Sequence, residues 1–85
     1  MKKIRIRLAI GYGNHVWLVE NYFPTGNMLH DYYLTANTSW ASDFPLEEAR
    51  KWMREAKHIA ILNNIHVTKG EYIYDGKPTP LKNIA

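Results

Sequence analysis

The feature that most constrains this chain is a strict alternation of apolar and polar side chains over residues 3–10. Ile4, Ile6, Leu8 and Ile10 alternate with Lys3, Arg5, Arg7 and Ala9. Because successive side chains of a β-strand point to opposite faces, this pattern predicts a strand with one apolar and one basic face. The apolar face needs a second layer to bury it, so the rest of the chain must supply neighbouring strands and a cover.

The next elements complete a β-rich N-terminal half. Two glycines and an asparagine between residues 11 and 14 favour a tight turn, which predicts an antiparallel hairpin between the first strand and a second over 15–22. The segment Pro24-Thr25-Gly26-Asn27 ends that strand, and 28–31 is left as a loop. A third strand is predicted over 32–38, where tyrosine and threonine suit a pleated surface.

A single amphipathic helix is predicted over about 45–62. Pro45 suits a first helical turn, and two glutamates follow it at the positive end of the helix. The apolar side chains recur with helical spacing on one stripe, made of Leu46, Ala49, Met53, Ala56 and Ala60.

The C-terminal part is predicted to form a second hairpin and a tail. Two short β segments surround Lys69-Gly70 within 65–74, and Asp75-Gly76 makes a further turn. Two prolines at 78 and 80 predict an extended or frayed tail over 78–85. The expected fold is therefore one α+β domain over 1–77, an antiparallel sheet of three to five strands with the helix packed on one face.

Composition excludes several function classes. Hydrophobic residues make up 46% and charged residues 22% of the 85-residue chain, a balance typical of folded domains. The chain has no cysteine, which excludes disulfides, thiolate metal sites and cysteine nucleophiles. Its four histidines have no metal-ligand spacing, and neither a serine-hydrolase motif nor a phosphate-binding loop is present. We therefore expect no enzyme activity, no metal and no cofactor.

The sequence also bears on location. Arg5 and Arg7 interrupt what would be the apolar stretch of a signal peptide, and no apolar run approaches the ~18 residues of a membrane helix. A small secreted domain usually needs disulfides. The expectation is a cytoplasmic protein with no membrane partner.

The basic face of the first strand is a candidate nucleic-acid site. Lys3, Arg5 and Arg7 would contact phosphates, and Trp17 across the hairpin would stack on a base of a single strand. The alternative interpretation is that alternating cations simply keep the outer face of a strand hydrated and discourage aggregation.

The aromatic side chains are a candidate protein-binding surface. Eleven aromatic residues are more than a one-helix domain can bury, and exposed Trp and Tyr are enriched at protein interfaces. The candidates are Trp17, Tyr22, Tyr32, Tyr33 and Trp52. The competing interpretation is core packing for Trp17 and edge packing on the helix for Trp52. Trp40 and Phe44 are expected to pack beneath the helix start. Self-association as a homodimer, through an edge strand or the aromatic surface, is a further expectation.

Part of the chain resembles a known group of proteins. The pattern consists of Tyr33-Leu34-Thr35, then Trp40, Asp43-Phe44 and Glu48-Ala49. It is similar to small proteins encoded by phages and prophages of Gram-positive bacteria, over about residues 30–60. Pro45 and the β segments after Asn64 depart from that pattern.

The resemblance implies a non-enzymatic accessory protein located in the cytoplasm of a bacterial host. Such proteins often bind and inhibit a host protein, and inhibitors of antiviral nucleases are one class among them. The expected partner is a host or phage protein. Many of those inhibitors imitate DNA with dense acidic surfaces, which a net charge of +3 does not suit. Sequence analysis thus favours a protein-interaction module, with a single-stranded nucleic-acid binder as the alternative.

Overall fold

The alternating segment forms the central strand of the sheet, as the pattern predicts. In a computed structural model, which describes residues 2–84, β1 (Lys3–Gly11) pairs with β2 (Asn14–Glu20) in an antiparallel hairpin. On its other side β1 pairs antiparallel with β5 (Lys69–Tyr74). Ile4, Ile6 and Leu8 are completely buried, so the apolar face of this strand is the centre of the core.

Shorter strands complete the sheet. Its order is β3-β2-β1-β5-β6, where β3 is Tyr32–Thr35 and β6 is Lys77–Pro78. The two-residue β4 (Phe44–Pro45) pairs with the first residues of β1, where β2 no longer accompanies it. All pairings are antiparallel.

One long helix covers a single face of this sheet. A 3₁₀ turn over Leu46–Glu48 leads into α2 (Ala49–Leu62). The buried face of α2 consists of Ala49, Trp52, Met53, Ala56, Ile59 and Ala60. These side chains pack on Ile4, Ile6, Leu8 and Leu18 of the sheet, which confirms the predicted α+β fold and the helix near 45–62.

The other face of the sheet is covered in part by the segment that connects β3 to β4. Ala41 of this segment packs with Trp17 and Ile73 in a second small cluster, and Ser42 N–H donates to the carbonyl of Leu18 at 3.2 Å. Trp40, expected beneath the helix start, is instead 57% exposed on a 3₁₀ turn. That prediction was wrong because the connection crosses the face opposite the helix, whereas Phe44 is buried at the helix start.

Several boundaries in the N-terminal half differ from expectation. The second strand ends at Glu20 and the third at Thr35, and residues 28–31 form a one-turn helix, α1 (Met28–Asp31), rather than a loop. Pro45 lies in β4 and precedes the 3₁₀ turn instead of occupying the first turn of the α-helix. Its missing N–H is tolerated because it ends a two-residue edge pairing.

Residues 65–74 form one strand where two were expected. Residues 65–68 are irregular, and the hairpin joins β5 to β6 through Asp75 and Gly76. Both turn residues have positive φ, 51° and 77°, as a type I′ turn requires.

The tail, predicted to be extended or frayed, packs against the rest of the domain over residues 78–84. Pro78 pairs in β6, Leu81–Asn83 forms a 3₁₀ turn, and Ile84 is only 2% exposed within the main core. Lys2 Nζ donates to the carbonyl of Ile84 at 2.7 Å. The two prolines restrict the backbone of the tail, and the burial of Ile84 anchors the tail in the core. Residues 1 and 85, the outer limits of the predicted domain and tail, lie outside the described residues.

Replacement of Ile84 tests whether this tail is part of the fold. We expect Ile84→Ala to lower the free energy of unfolding by about 2–4 kcal/mol, because it leaves a cavity in the core. Urea denaturation followed by tryptophan fluorescence measures the change. Asn83→Ala, at the exposed neighbouring position, is the control and should shift stability by less than about 0.5 kcal/mol. Equal stability of both variants would show that the tail is not anchored.

Candidate protein-interaction site

The connection from β2 to β3 is a closed loop whose ends are bonded to each other. The backbone N–H of Asn21 donates to the carbonyl of Asp31 at 2.7 Å, and the side-chain amide of Asn21 donates to the carbonyl of His30. The carboxamide oxygen of Asn27 caps α1 by accepting from Leu29 N–H at 3.0 Å. These bonds hold residues 21–31, which we call the aromatic loop.

The carboxylate of Asp31 organises the interior of the aromatic loop. It accepts from the backbone N–H and the hydroxyl of Thr25 at 2.6 and 2.7 Å, and from Gly26 N–H at 2.7 Å. The side chain is buried. The hydrogen bond from the Thr25 backbone is the main cause that holds the pKa of Asp31 below its usual value, with burial acting in the opposite direction.

The same loop presents apolar side chains to solvent. Tyr22 is 89% and Phe23 82% exposed, and their rings meet edge to face with centroids 4.8 Å apart. Leu29 on α1 is also exposed. The hydrogen bonds that close the loop restrict its backbone, so a partner that covers these rings would lose less backbone entropy on binding.

The structure separates the five aromatic residues that the sequence suggested. Tyr22 lies on the surface, Tyr32 and Tyr33 are half-buried, and Trp17 and Trp52 are buried. The sequence therefore grouped surface and core side chains, because Trp17, Trp52 and much of Tyr32 belong to packed clusters.

Tyr32 and Trp52 form the support beneath the loop. Their ring centroids are 4.7 Å apart, and Phe44 lies 5.0 Å from Trp52. The Trp52 indole donates to Glu48 at 3.2 Å, and the Tyr32 hydroxyl donates to Glu20 at 2.9 Å. Burial, helped by that bond to Glu20, raises the pKa of Tyr32 to about 12, so its phenol stays protonated at neutral pH.

The basic strand face is largely neutralised within the fold. Lys3, Arg5, Arg7 and Trp17 do line one groove of about 540 Å³ on the sheet face opposite α2. However, Arg5 Nε lies 3.2 Å from Asp43, and Arg7 makes two bonds of 3.2 and 3.1 Å to Glu71. The Arg7 guanidinium lies 5.4 Å from the Trp17 ring centroid, over a buried side chain. Lys3 is the exposed cation of the three.

Glu71 connects three strands on that face. It lies opposite Arg7 in the β1–β5 pairing, and His15 Nε2 of β2 lies 3.6 Å from its carboxylate. Ala9 of β1, which lies opposite His15 in the β1–β2 pairing, has only a methyl side chain. The hydrogen bond from Arg7 is the main cause that lowers the pKa of Glu71, against the opposing effect of burial.

Sequence reasoning missed Phe23, Leu29 and Asp31 as members of the candidate site. A signal was present, since two adjacent aromatics precede a Pro-Thr-Gly-Asn turn and an aspartate follows that turn. Aspartate favours such side-chain-to-backbone bonds. The Asp31 carboxylate bonds to Thr25 and Gly26 because the one-turn helix α1 brings it back toward them, and that helix was not predicted.

Within residues 2–84 no group of three or more metal-ligating side chains comes together. Over the same range, none of the helices is both long enough and apolar enough to cross a membrane.

The chain matches no protein-family model, no curated protein and no solved structure.

The role of Asp31 can be tested by removing its charge. We expect Asp31→Asn to speed amide hydrogen exchange at Thr25 and Gly26 and to lower Tm, because the amide has one acceptor oxygen where three bonds are accepted now. NMR hydrogen exchange measures the first effect. Asp75→Asn, in the exposed β5–β6 turn, should leave exchange in the loop unchanged.

The pH dependence of stability tests the same role of the Asp31 carboxylate. The pKa of Asp31 is lower in the folded than in the unfolded chain, so its stabilisation is complete above the ordinary value of 3.8 and is lost as pH falls through the lowered value. The Gly26 amide resonance should report that loss below pH 3.8. A loop amide that titrates at or above the ordinary value would contradict the assignment.

The Glu71 cluster predicts a second stability effect. Glu71→Gln should lower the free energy of unfolding by about 1 kcal/mol, because it leaves a half-buried arginine without its counter-charge. Asp43→Asn, which breaks the more exposed pair with Arg5, should cost less than about 0.5 kcal/mol. Parallel urea titrations at neutral pH compare the two, and a larger effect of Asp43→Asn would refute this ranking.

Proposed function

We propose that this chain is a non-enzymatic protein-interaction module that binds its partner through the aromatic loop. The observation that supports the proposal is the exposed Tyr22–Phe23 pair on a loop held by the Asp31 carboxylate. A fold that buries Trp17 and Trp52 yet leaves these two rings in water has an aromatic surface available for a partner.

The resemblance to phage and prophage proteins suggests the kind of partner. On that basis the proposed partner is a protein of a bacterial host, bound in the cytoplasm, and modulation of a host defence protein is one form of this function. Tyr22, Phe23 and Leu29, the exposed apolar side chains of the loop, carry no charge, which favours a hydrophobic pocket on the partner over a strongly charged one.

Nucleic-acid binding receives less support from the geometry. Two of its three cations already hold carboxylates, and the ring of Trp17 is buried beneath Arg7. A base has no free aromatic face there on which to stack.

A paired substitution tests the proposed function. The double variant Tyr22→Ser, Phe23→Ser should lose the proteins that the immobilised wild-type chain retains from a bacterial lysate, because it removes the central aromatic contacts. Its Tm should stay near the wild-type value, since both side chains are exposed. Quantitative mass spectrometry of the retained proteins is the measurement.

The matched control is Tyr12→Ser, which removes a fully exposed tyrosine from the β1–β2 turn at the opposite end of the sheet. It should retain the same proteins as the wild type. Light scattering of the purified chain identifies the case in which the partner is a second copy. Equal retention by the double variant and the wild type would refute the proposal.

A further inference from the structure

A second surface lies at the other end of the molecule. Strand β5 begins beside Ala9, near the end of β1, whereas the aromatic loop follows the end of β2 beside the start of β1. Between the last turns of α2 and residues 65–70 there is a groove of about 320 Å³. This surface is separate from the one used for the proposed function.

The floor of this groove is aliphatic. Ile61, Ile65 and Val67 line it, and Ile61 is 70% exposed at the edge. The volume lies within the range of small binding clefts and suits one or two aliphatic side chains of a partner. No Trp, Tyr or Phe side chain lines the groove, so it lacks the large aromatic rings on which nucleic-acid bases usually stack.

The rim of the groove carries two lysines, Lys57 and Lys69, and none of the lining side chains is acidic. His66 also lines the groove. Glu71, the nearest acidic residue in the sequence, is held by Arg7 on the sheet face opposite α2. Among residues 2–84, neither lysine has a carboxylate oxygen within 4.0 Å.

A stripe of positive charge on α2 continues from this rim. Arg50, Arg54 and Lys57 are exposed and fall within about 60° of Ile61 on a helical wheel of about 100° per residue. Like the two lysines, these arginines have no carboxylate within 4.0 Å in the described part of the chain. The apolar groove and the cations therefore form one continuous surface.

The edge of β5 adds backbone groups to the same groove. Thr79 N–H donates to the carbonyl of Tyr72 at 2.8 Å, so the backbone of Tyr72 points away from β1. Two residues earlier, the N–H and C=O groups of Gly70 point to the same side of β5. Gly70 lies beyond the end of β6, where Pro80 has no N–H and the chain turns away at Leu81. Gly70 thus presents a donor and an acceptor to an added strand.

We propose that this groove binds an extended acidic segment of another protein, with an aliphatic side chain in the pocket and carboxylates against Lys57 and Arg54. The apolar floor selects the anchor residue, the unpaired cations select the flanking charge, and Gly70 favours an extended backbone. The inference does not depend on the aromatic loop.

The test uses three acetylated peptides and the ¹⁵N-labelled full chain. The first peptide has Val-Leu-Val at its centre and two glutamates at each end; the second has lysines in place of the glutamates; the third has three serines at its centre. The first should shift the amide resonances of Ile61, Val67 and Gly70 saturably. The other two should bind at least about tenfold more weakly, because each lacks one of the two complementary features.

Matched variants locate the binding. Lys57→Glu and Ile61→Ser should each weaken binding of the first peptide by about fivefold to tenfold. Lys77→Glu and Leu62→Ser, exposed positions that do not line the groove, should leave it unchanged. Circular dichroism and Tm confirm that each variant is folded.

Three results would overturn the proposal. These are no saturable shift with the first peptide, equal affinity for the lysine-flanked peptide, or tighter binding of an oligothymidine strand at the same amides. The double variant Tyr22→Ser, Phe23→Ser should bind the first peptide like the wild type, so failure here and failure of the proposed function are separate outcomes.

Discussion

The burial of the apolar face of β1 under α2 is the interaction on which the other elements depend. Ile4, Ile6 and Leu8 contact the helix, while the backbone of the same strand pairs with β2, β4 and β5. One strand therefore determines both the layer above it and the neighbours beside it. Its opposite face carries cations because water, Asp43 and Glu71 satisfy them there, whereas beneath the helix they would be buried without partners.

The candidate interaction site depends on that arrangement indirectly, through the packing of Trp52 and Tyr32. The helix buries Trp52, Trp52 packs on Tyr32, and Tyr32 begins the strand that closes the aromatic loop. Asp31 lies directly before Tyr32 and turns its carboxylate into the loop. The loop backbone that carries the exposed rings is therefore held by buried aromatic packing on one side and by charge-assisted hydrogen bonds on the other.

The sequence predicted those parts of the fold for which one periodicity is decisive. Alternation identifies β1, and helical spacing identifies α2, because each pattern extends over several residues. The sequence did not predict elements that depend on tertiary contacts. Ile84 packs in the main core, although no local pattern marks it as a core residue. The connection from β3 to β4 places Ala41 against Trp17, although no local pattern favours that face of the sheet. The candidate site was predicted only in part for the same reason. Tyr22 is exposed and Trp52 is buried, and this difference depends on tertiary contacts that composition does not reveal.

The two proposed surfaces differ in what they demand of a partner. The exposed rings of the aromatic loop, Tyr22 and Phe23, are uncharged, so the affinity of this surface would come from the burial of ring surface and depend little on salt. The groove beside Ile61 is surrounded by cations, so its attraction for an acidic segment would weaken as ionic strength rises. Because they lie at opposite ends of the sheet, one partner of ordinary size would contact one of them, and a partner that reaches both would have to extend along the length of β1.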